Sequence, residues 1–219
     1  YARFLAKAAR WQLTVGTDPG SFLHSEGYPP DKLILNASAH AAETLLIGAA
    51  TEQDPAECEM FRAGAARAIE ATLACQRENG MLPYSCYPDD NSVSYTATVC
   101  WVFQNLLDAG LLPAAQQSAV RDGLHRAADF LASCVRESGA VDWDTWEHHG
   151  QKYHTWVYGI MARALAWHSD KRDCAARLVS FLHRDLYDHG KGLCRLFDFP
   201  VGQERTICGL QVRSEAFYE

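Results

Sequence analysis

The chain lacks any apolar stretch long enough to cross a bilayer, since no run of 18 or more apolar residues occurs in its 219 positions. The given residues contain no secretory signal pattern, and we expect no disordered tail. With 48% apolar and 21% charged residues, the composition is that of a soluble globular protein. We therefore expect one domain over residues 1–219 and no membrane partner.

Basic clusters are absent as well, and the formal net charge is −7. Nucleic acids and anionic membranes are bound by Lys and Arg groups that neutralise phosphates, so both are excluded as general partners. A local site for an anionic sugar is compatible with this charge.

The eight cysteines form no CxxC pair and no Cys/His spacing of the structural zinc type, so no metal is expected. Cys58, Cys75 and Cys134 fall on the apolar side of helical patterns. Buried thiols in a reducing, cytoplasmic compartment are favoured over disulfides.

Motifs for common cofactors are missing too: there is no Gly-rich phosphate loop, nucleotide fingerprint or Ser-His-Asp arrangement. No cofactor is therefore expected. The chain opens on Tyr1 and closes within an apparent helical pattern at Ala216 to Glu219, so we expect it to be part of a longer protein.

What the sequence does contain is an alternation of two helix types. Helices with a single apolar stripe are predicted to begin near Phe4 (Phe4, Ala8, Trp11, Val15), Pro55, Ala114 and Arg172. Helices that are apolar on nearly all sides are predicted over 33–50, 95–108 and 153–167, and a last helix from about Thr206.

Glycines that follow the striped helices recur at intervals of 60, 59 and 51 residues: Gly20, Gly80, Gly139 and Gly190. Each unit thus pairs an outer striped helix with an inner, fully covered helix. The fold class predicted is all-α, an α/α toroid forming an incomplete ring of about four helical hairpins. A straight α-solenoid is the alternative, although its repeats are usually shorter.

In a toroid all outer-to-inner loops emerge on one rim, beside the amino ends of the inner helices. The richest loop is 137–156, which crowds four acids, three tryptophans, three histidines and a tyrosine. We expect the functional residues on this rim.

Several motifs resemble those of a known group. Glu78-Asn-Gly-Met-Leu-Pro-Tyr-Ser85 followed by Tyr95-Thr96, and Asp142-Trp-Asp144 followed by Lys152-Tyr-His-Thr155, are similar to repeated motifs of α/α-toroid proteins that act on polysaccharides. These include uronate lyases, unsaturated-uronyl hydrolases and sugar epimerases. The segment Arg213-Ser-Glu-Ala-Phe-Tyr218 resembles their final inner helix.

The resemblance implies proton transfer on a uronate sugar, with Tyr153 and His154 as acid and base. Capping and packing of the loop is an equally good interpretation of this pair. His149, beside His148, is an alternative base, although a solvated loop is favoured there. Asp142 and Asp144 are candidate carboxylates for glycoside hydrolysis.

Substrate-binding candidates are aromatic and cationic. Stacking surfaces for sugar rings are expected from Trp143 and Trp146, and further contacts from Tyr84, Tyr87, Tyr95, His40, Arg205 and Arg213. Trp156 is assigned to core packing. His40, with Glu43, either lines the central cavity or forms a buried hydrogen bond.

The function expected is processing of a uronic-acid-containing glycan by a lyase, epimerase or hydrolase, with a saccharide as partner. Two alternatives remain. Asp142-Trp-Asp144-Thr145 distantly resembles the acid motif of terpenoid cyclases, without its final acid, and a non-catalytic toroid would only bind a glycan or partner.

Overall fold

A computed structural model describes residues 2–17, 21–22, 33–147, 152–200, 202–207 and 210–213. Within these ranges no helix is both long and apolar enough to cross a membrane. The seven cysteines in the described ranges are free thiols.

Helices dominate the described residues. The α-helices are α1 (Ala2–Val15), α2 (Leu35–Thr51), α3 (Pro55–Ala74), α4 (Val93–Asp108), α5 (Ala114–Ser133), α6 (Trp143–Trp146), α7 (Trp156–Ala166) and α8 (Arg172–Phe181), with a 3-10 turn at Ser169–Lys171 and a π-helix at Leu182–Leu186. The strands are short and form three antiparallel pairs: β1 (Gly16–Thr17) with β2 (Ser21–Phe22), β3 (Tyr187–Asp188) with β4 (Leu193–Cys194), and β5 (Glu204–Ile207) with β6 (Leu210–Arg213).

The long helices form two layers. Helices α2, α4 and α7 pack on one another in sequence order, and α1, α3 and α5 pack outside them, with α8 against α7. The shared core contains fully buried side chains from both layers, such as Leu45, Phe61, Phe103 and Leu124. This is the alternation of outer and inner helices that the sequence predicts.

Helix starts follow the local sequence. Asp54 caps α3 by accepting a hydrogen bond from Ala56 N at 2.9 Å, and Pro55 occupies the first helical position, as predicted. Ser92 caps α4 by accepting from Tyr95 N at 3.1 Å.

The packing face of α1 differs from the prediction. Phe4 and Trp11, two members of the predicted stripe, are 71% and 62% exposed, whereas Ala6 and Ala9 are buried. A side-chain carbon added to Gly48 of α2 would lie only 2.5 Å from Ala9 Cβ. The two helices therefore approach through small residues, and a large apolar side chain does not fit between them.

Gly80 and Gly139 follow outer helices α3 and α5, as predicted, and both have left-handed backbones (φ 90° and 91°). An added Cβ would lie 2.1 Å from the Arg126 carbonyl oxygen at Gly80 and 2.3 Å from the Arg177 carbonyl oxygen at Gly139. Each glycine thus presses against the next outer helix.

The other two glycines do not extend this pattern. Gly20 lies outside the described residues, and Gly190 belongs to the β3–β4 turn, where an added Cβ would meet only Asp188 Oδ1 at 3.2 Å. The predicted end of the fourth outer helix at Gly190 is wrong, because α8 passes into the π-helix and then into β3.

Two further helix predictions are wrong. The third inner helix begins at Trp156 and not at Tyr153, because Tyr153 has a left-handed backbone (φ 66°) that interrupts a right-handed helix. Thr206–Ile207 and Leu210–Arg213 belong to the β5–β6 hairpin, in which Glu204 pairs with Arg213 and Ile207 with Leu210, while residues 214–219 of the predicted helix lie outside the described residues.

The connecting segments lie on one rim, linked in sequence. The links are Leu35 N to Tyr84 O at 3.0 Å, Ser94 N to Glu147 Oε2 at 3.0 Å, and Thr155 N to Leu196 O at 3.1 Å. The predicted gathering of the loops at a common mouth is confirmed for the described residues.

Glu147 forms the central link and is almost fully buried, at 1% exposure. Its carboxylate accepts hydrogen bonds from Ser92 Oγ and from Ser94 N and Oγ at 2.9–3.1 Å. These donors lie at the amino end of α4, where the helix dipole favours negative charge. A charged side chain of one loop therefore caps the inner helix of the preceding unit.

We expect Glu147→Ala to lower the free energy of unfolding by about 2–4 kcal/mol, because buried donors at Ser92 and Ser94 lose a charged acceptor. Urea denaturation followed by circular dichroism measures this change. Glu137→Ala, at an exposed position near the same loop, should shift it by less than about 0.5 kcal/mol. Equal effects of the two substitutions would contradict the capping role.

His168 lies at the other end of the inner helices, after α7. It is 9% exposed, its Nε2 is buried without a hydrogen-bond partner among the described residues, and the His125 ring lies 5.7 Å away. Burial, and then His125, lower the pKa of His168 from its usual 6.5. The folded chain therefore holds a neutral imidazole there.

Since the folded pKa of His168 is below the unfolded value, the unfolded chain takes up a proton first as the pH falls. We expect the free energy of unfolding to decrease as the pH falls below about 6.5. The contribution of His168 to this decrease should be absent in His168→Gln. Urea unfolding at about pH 7.5 and about pH 5.5 measures both. The exposed His183, changed to Gln, should leave the pH difference intact; a similar loss there would argue against a specific role for His168.

Candidate active site

A cavity of about 350 Å³ opens between the loop that follows α5 and the segments that follow α8. Its size is within the range of small-molecule sites. Its lining combines aromatic and charged side chains, among them Arg136, Trp143, Asp144, Tyr153, Arg195, Asp198, Phe199 and Arg205. Asp185 also lines the cavity, so its wall carries three carboxylates and three guanidinium groups.

A larger depression of about 770 Å³ lies between α1 and the end of α2. It is lined by Arg3, Lys7 and Arg10, with Thr51, Glu52 and Gln53 and no aromatic ring. Arg10 is held by Glu52 and Glu57. None of the predicted functional residues lies there, so the smaller cavity is the candidate site.

Tyr153 occupies the centre of this cavity wall. It is the one non-glycine residue with positive φ among those described, and its side chain is 8% exposed. Its hydroxyl donates to Asp144 Oδ1 at 2.6 Å and accepts from Arg205 Nη1 at 2.6 Å. Burial, followed by the hydrogen bond to Asp144, raises the pKa of Tyr153 to about 12.

Asp144 lies at the cavity mouth with an exposed side chain. Its Oδ1 binds both Tyr153 OH and, at 2.8 Å, Lys152 Nζ. The Lys152 ammonium, and then the Tyr153 hydroxyl, lower the pKa of Asp144 from its usual value. Asp144 is thus an ionised carboxylate at neutral pH, held through one oxygen.

Asp198 is the carboxylate on the opposite loop. Its Oδ2 accepts a hydrogen bond from Trp143 Nε1 at 2.9 Å and a second from the Tyr158 hydroxyl. Its backbone N–H donates to Tyr153 O at 2.7 Å. Like Asp144, it is therefore oriented through one of its two oxygens.

Arg205 projects from β5 and lies between two aromatic rings. Its Cζ is 4.6 Å from the Tyr153 ring centroid and 5.6 Å from that of Phe199. Within the described residues it forms no ion pair shorter than 4.0 Å, and Tyr153 OH is its side-chain hydrogen-bond partner. Most of its donor groups remain available for a ligand.

The two histidines predicted as the base, His154 and His149, are not among the residues that line the described cavity. His154 lies beside Tyr153 in the chain, but its ring packs edge-on against Phe197 at 4.8 Å and it does not line the cavity. His149, like its neighbour His148, lies outside the described residues. The assignment of a histidine base stays a prediction.

The predicted stacking tryptophans differ in exposure. Trp143 is 3% exposed and forms a cavity wall against Tyr153 and Tyr158, with ring centroids at 6.2 and 6.0 Å. Trp146 packs edge-on against Phe130 at 5.4 Å, away from the cavity. Trp156, assigned to core packing from the sequence, is the first residue of α7 and is 37% exposed.

The remaining candidates lie outside the cavity. Tyr84 is buried and packs on Tyr95 at 4.7 Å, while Tyr87 is 39% exposed on the same loop. His40 is exposed on α2, where its Nδ1 lies 3.2 Å from Glu43 Oε2 and its ring 6.5 Å from that of Trp101. None of these side chains lines the cavity around Tyr153.

Two charged candidates are committed to protein partners. Asp142 binds Arg136 Nη2 at 2.7 Å and Thr145 Oγ1 at 2.9 Å, and the Arg136 guanidinium lowers its pKa. Arg213 lies on strand β6 and not on an inner helix, with its Nε 2.8 Å from Glu204 Oε1. Both side chains stabilise local structure.

Sequence reasoning missed Asp198, Tyr158 and Arg195 as site residues. The alternating segment Phe197-Asp198-Phe199 was a usable signal, because an extended chain directs Asp198 away from the two rings. Arg195 donates to the backbone carbonyls of Phe199 at 3.0 Å and Asp185 at 2.7 Å, which ties the loop to the π-helix that follows α8. Across the described ranges, no group of three or more His, Cys, Asp or Glu is arranged to hold a metal ion.

The chain is similar to solved structures at the level of the fold. No protein-family model and no curated protein sequence matches the chain. Among solved structures, unsaturated glucuronyl hydrolase from Bacillus sp. GL1, described as responsible for the degradation of glycosaminoglycan, superposes with a TM-score of 0.65 at 16% identity, covering 90% of this chain and 60% of that one.

Two further structures are similar. An Asp-to-Asn variant of UGL with dGlcA-Glc-Rha-Glc gives a TM-score of 0.65 at 17% identity, with 90% of this chain and 60% of that chain covered. A glycosyl hydrolase family 88 protein from Bacteroides vulgatus gives 0.61 at 13% identity, covering 98% and 62%. The chain spans about 60% of the length of these proteins. The predicted fold is confirmed: the chain has the helical-hairpin toroid of the unsaturated glucuronyl hydrolases.

Proposed function

We propose that this chain binds and hydrolyses a uronic-acid-containing saccharide in the cavity around Tyr153. The observation that carries the proposal is Arg205, a guanidinium without an acidic partner among the described residues, placed between two aromatic rings. The saccharide bound by one structural neighbour, dGlcA-Glc-Rha-Glc, supports the same substrate class.

Recognition of the sugar carboxylate is assigned to Arg205. A guanidinium presents paired N–H groups that match the two oxygens of a carboxylate, and such charge-assisted pairs are stronger than neutral hydrogen bonds. Arg136, by contrast, is neutralised by Asp142 at 2.7 Å. Arg205 is therefore the better partner for a ligand carboxylate.

The aromatic wall is assigned to the sugar ring. Trp143, Tyr153 and Phe199 line the cavity and are each less than 10% exposed. Their apolar faces suit the C–H face of a pyranose, while the polar edges of Trp143 and Tyr153 are already engaged by Asp198 and Asp144. The wall is thereby fixed before a ligand arrives.

The carboxylates are assigned to the chemistry. Glycoside hydrolysis uses two carboxyl groups, one to move the proton and one to assist water or the sugar carbon. Asp144 and Asp198 are the candidates, since Asp185 pairs with Arg184 at 2.5 Å. Tyr153 keeps its proton at neutral pH, because its pKa is raised to about 12, and so acts as a fixed hydrogen-bond donor.

The alternatives are less compatible with the cavity. A terpenoid cyclase needs an apolar pocket around a hydrocarbon, whereas six charged side chains line this one. A non-catalytic binding protein would use the same wall, and only an activity measurement separates it from a hydrolase.

The test is incubation with an unsaturated uronyl disaccharide while following the ultraviolet absorbance of its double bond. Hydrolysis decreases the absorbance, and lyase action on a saturated uronate polymer increases it. We expect the absorbance to decrease with time. Asp144→Asn and Asp198→Asn should each lower the rate of this decrease at least 100-fold. Tight binding without any absorbance change would leave a binding protein, and no binding would reject the proposal.

A further inference from the structure

We propose that Arg205, Tyr153 and Asp144 form a proton-linked anion site, in which a carboxylate bound at Arg205 brings one proton from solvent onto Asp144. The inference rests on the proposed function, because the ligand is the sugar carboxylate, and it adds a coupling between ligand and proton at the same site.

The physical link is a continuous hydrogen-bond chain. Arg205 Nη1 donates to Tyr153 OH at 2.6 Å, and that hydroxyl donates to Asp144 Oδ1, also at 2.6 Å. The phenol thus has the ligand-binding guanidinium on one side and the carboxylate on the other. Because both hydrogen bonds are short, a change of charge beside Arg205 alters the electrostatic energy of the Asp144 carboxylate.

The intermediate group is held in place by its surroundings. Tyr153 combines a left-handed backbone (φ 66°) with a buried ring that contacts Trp143, Phe199 and Arg205. A bulky residue in this backbone region persists only where neighbouring structure enforces it, and such positions cluster at functional sites. Because the ring cannot move freely, the distance between ligand and Asp144 is fixed.

The charges around Asp144 decide the direction of the coupling. Lys152 and Arg205 are the cations that favour its ionised form, and the Tyr153 hydroxyl donates to it. Asp142 and Asp198 are the nearby anions, and Arg136 neutralises the first of them. A ligand carboxylate adds one negative charge near Asp144 and offsets the influence of Arg205, while the contacts of Lys152 and Tyr153 with Asp144 remain.

The proton has an available position. Among the described residues both donors to Asp144 bind Oδ1, so Oδ2 accepts no hydrogen bond from them and can carry the proton. A ligand carboxylate at Arg205 therefore shifts Asp144 from the carboxylate toward the carboxylic acid. The acid is the form that general-acid catalysis uses.

The experiment is isothermal titration of D-glucuronate into the chain, in two buffers with different ionisation enthalpies at about pH 5 and about pH 7. We expect net proton uptake at the lower pH and binding about two- to fivefold tighter there than at the higher pH. In Asp144→Asn both effects should disappear while glucuronate still binds. Asp142→Asn is the matched control, since Asp142 lies two residues away and pairs with Arg136, and it should retain the uptake.

The outcomes separate the two proposals. Binding of glucuronate without proton uptake, or uptake that persists in Asp144→Asn, overturns the coupling and leaves the proposed function standing. Glucuronate that binds no better than neutral glucose, titrated in parallel, overturns the proposed carboxylate site and the coupling together.

Discussion

Replacing Arg205 with leucine is expected to weaken the binding of a uronate saccharide by about 30- to 150-fold. A hydrogen-bonded charge pair contributes about 2–3 kcal/mol, and each 1.4 kcal/mol changes a dissociation constant about tenfold. Arg205 has no acidic partner among the described residues, so its loss removes the ligand contact without leaving a buried carboxylate of the protein unpaired. Titration calorimetry with D-glucuronate and with glucose measures the change.

The matched control is Arg213→Leu on the neighbouring strand. Arg213 belongs to the same hairpin, but it is exposed and pairs with Glu204 at 2.8 Å. We expect its replacement to change uronate binding less than twofold, because a surface ion pair contributes at most about 1 kcal/mol to stability and nothing to the cavity. If the two variants bind equally well, Arg205 is not the carboxylate partner.

Replacing Gly139 with alanine is expected to destabilise the chain by about 3–5 kcal/mol. The left-handed backbone costs a non-glycine residue about 1–3 kcal/mol, and overpacking against α8 adds a similar amount. The new methyl group would lie 2.3 Å from Arg177 O and 2.8 Å from Phe181 Cβ, neither of which can move without shifting the helix. Gly80→Ala should behave alike, because its Cβ would lie 2.1 Å from Arg126 O.

Two glycines provide controls for these causes. Gly110 also has positive φ (65°) but no atom within 4 Å of an added Cβ, so its alanine variant carries only the backbone cost. Gly159 lies within α7 with open space around it, and alanine there should stabilise the helix by about 0.5–1 kcal/mol. Urea unfolding of the four variants gives the order; a Gly139→Ala variant as stable as Gly110→Ala would exclude the close contact as the cause.

The parts of the fold that sequence predicts are those that local chemistry determines. Asp54-Pro55 fixes the start of α3, and the glycine spacing marks where α3 and α5 end. The packing face of α1 was not predictable by the same logic, because its contacts with α2 use Ala9 and Gly48 and leave Phe4 and Trp11 outside. Apolar periodicity identifies a helix, but the smallest residues decide how closely two helices approach.

The candidate site was predicted in part. Asp144, Tyr153, Trp143 and Arg205 were identified from residue type and their place in the loops, and all four line one cavity. The left-handed backbone of Tyr153 has no signature in a tyrosine, so the sequence placed it in a helix. The capping role of Glu147 rests on contacts with Ser92 and Ser94, which are more than 50 residues away in the sequence. No local pattern in the sequence indicates it.

The contact between each glycine and the following outer helix has a consequence for curvature. Gly80 meets α5 and Gly139 meets α8 at corresponding places, so the missing methyl group sets how far each hairpin rotates relative to the one before it. A side chain at either position would push the next outer helix outward and change the angle between consecutive hairpins.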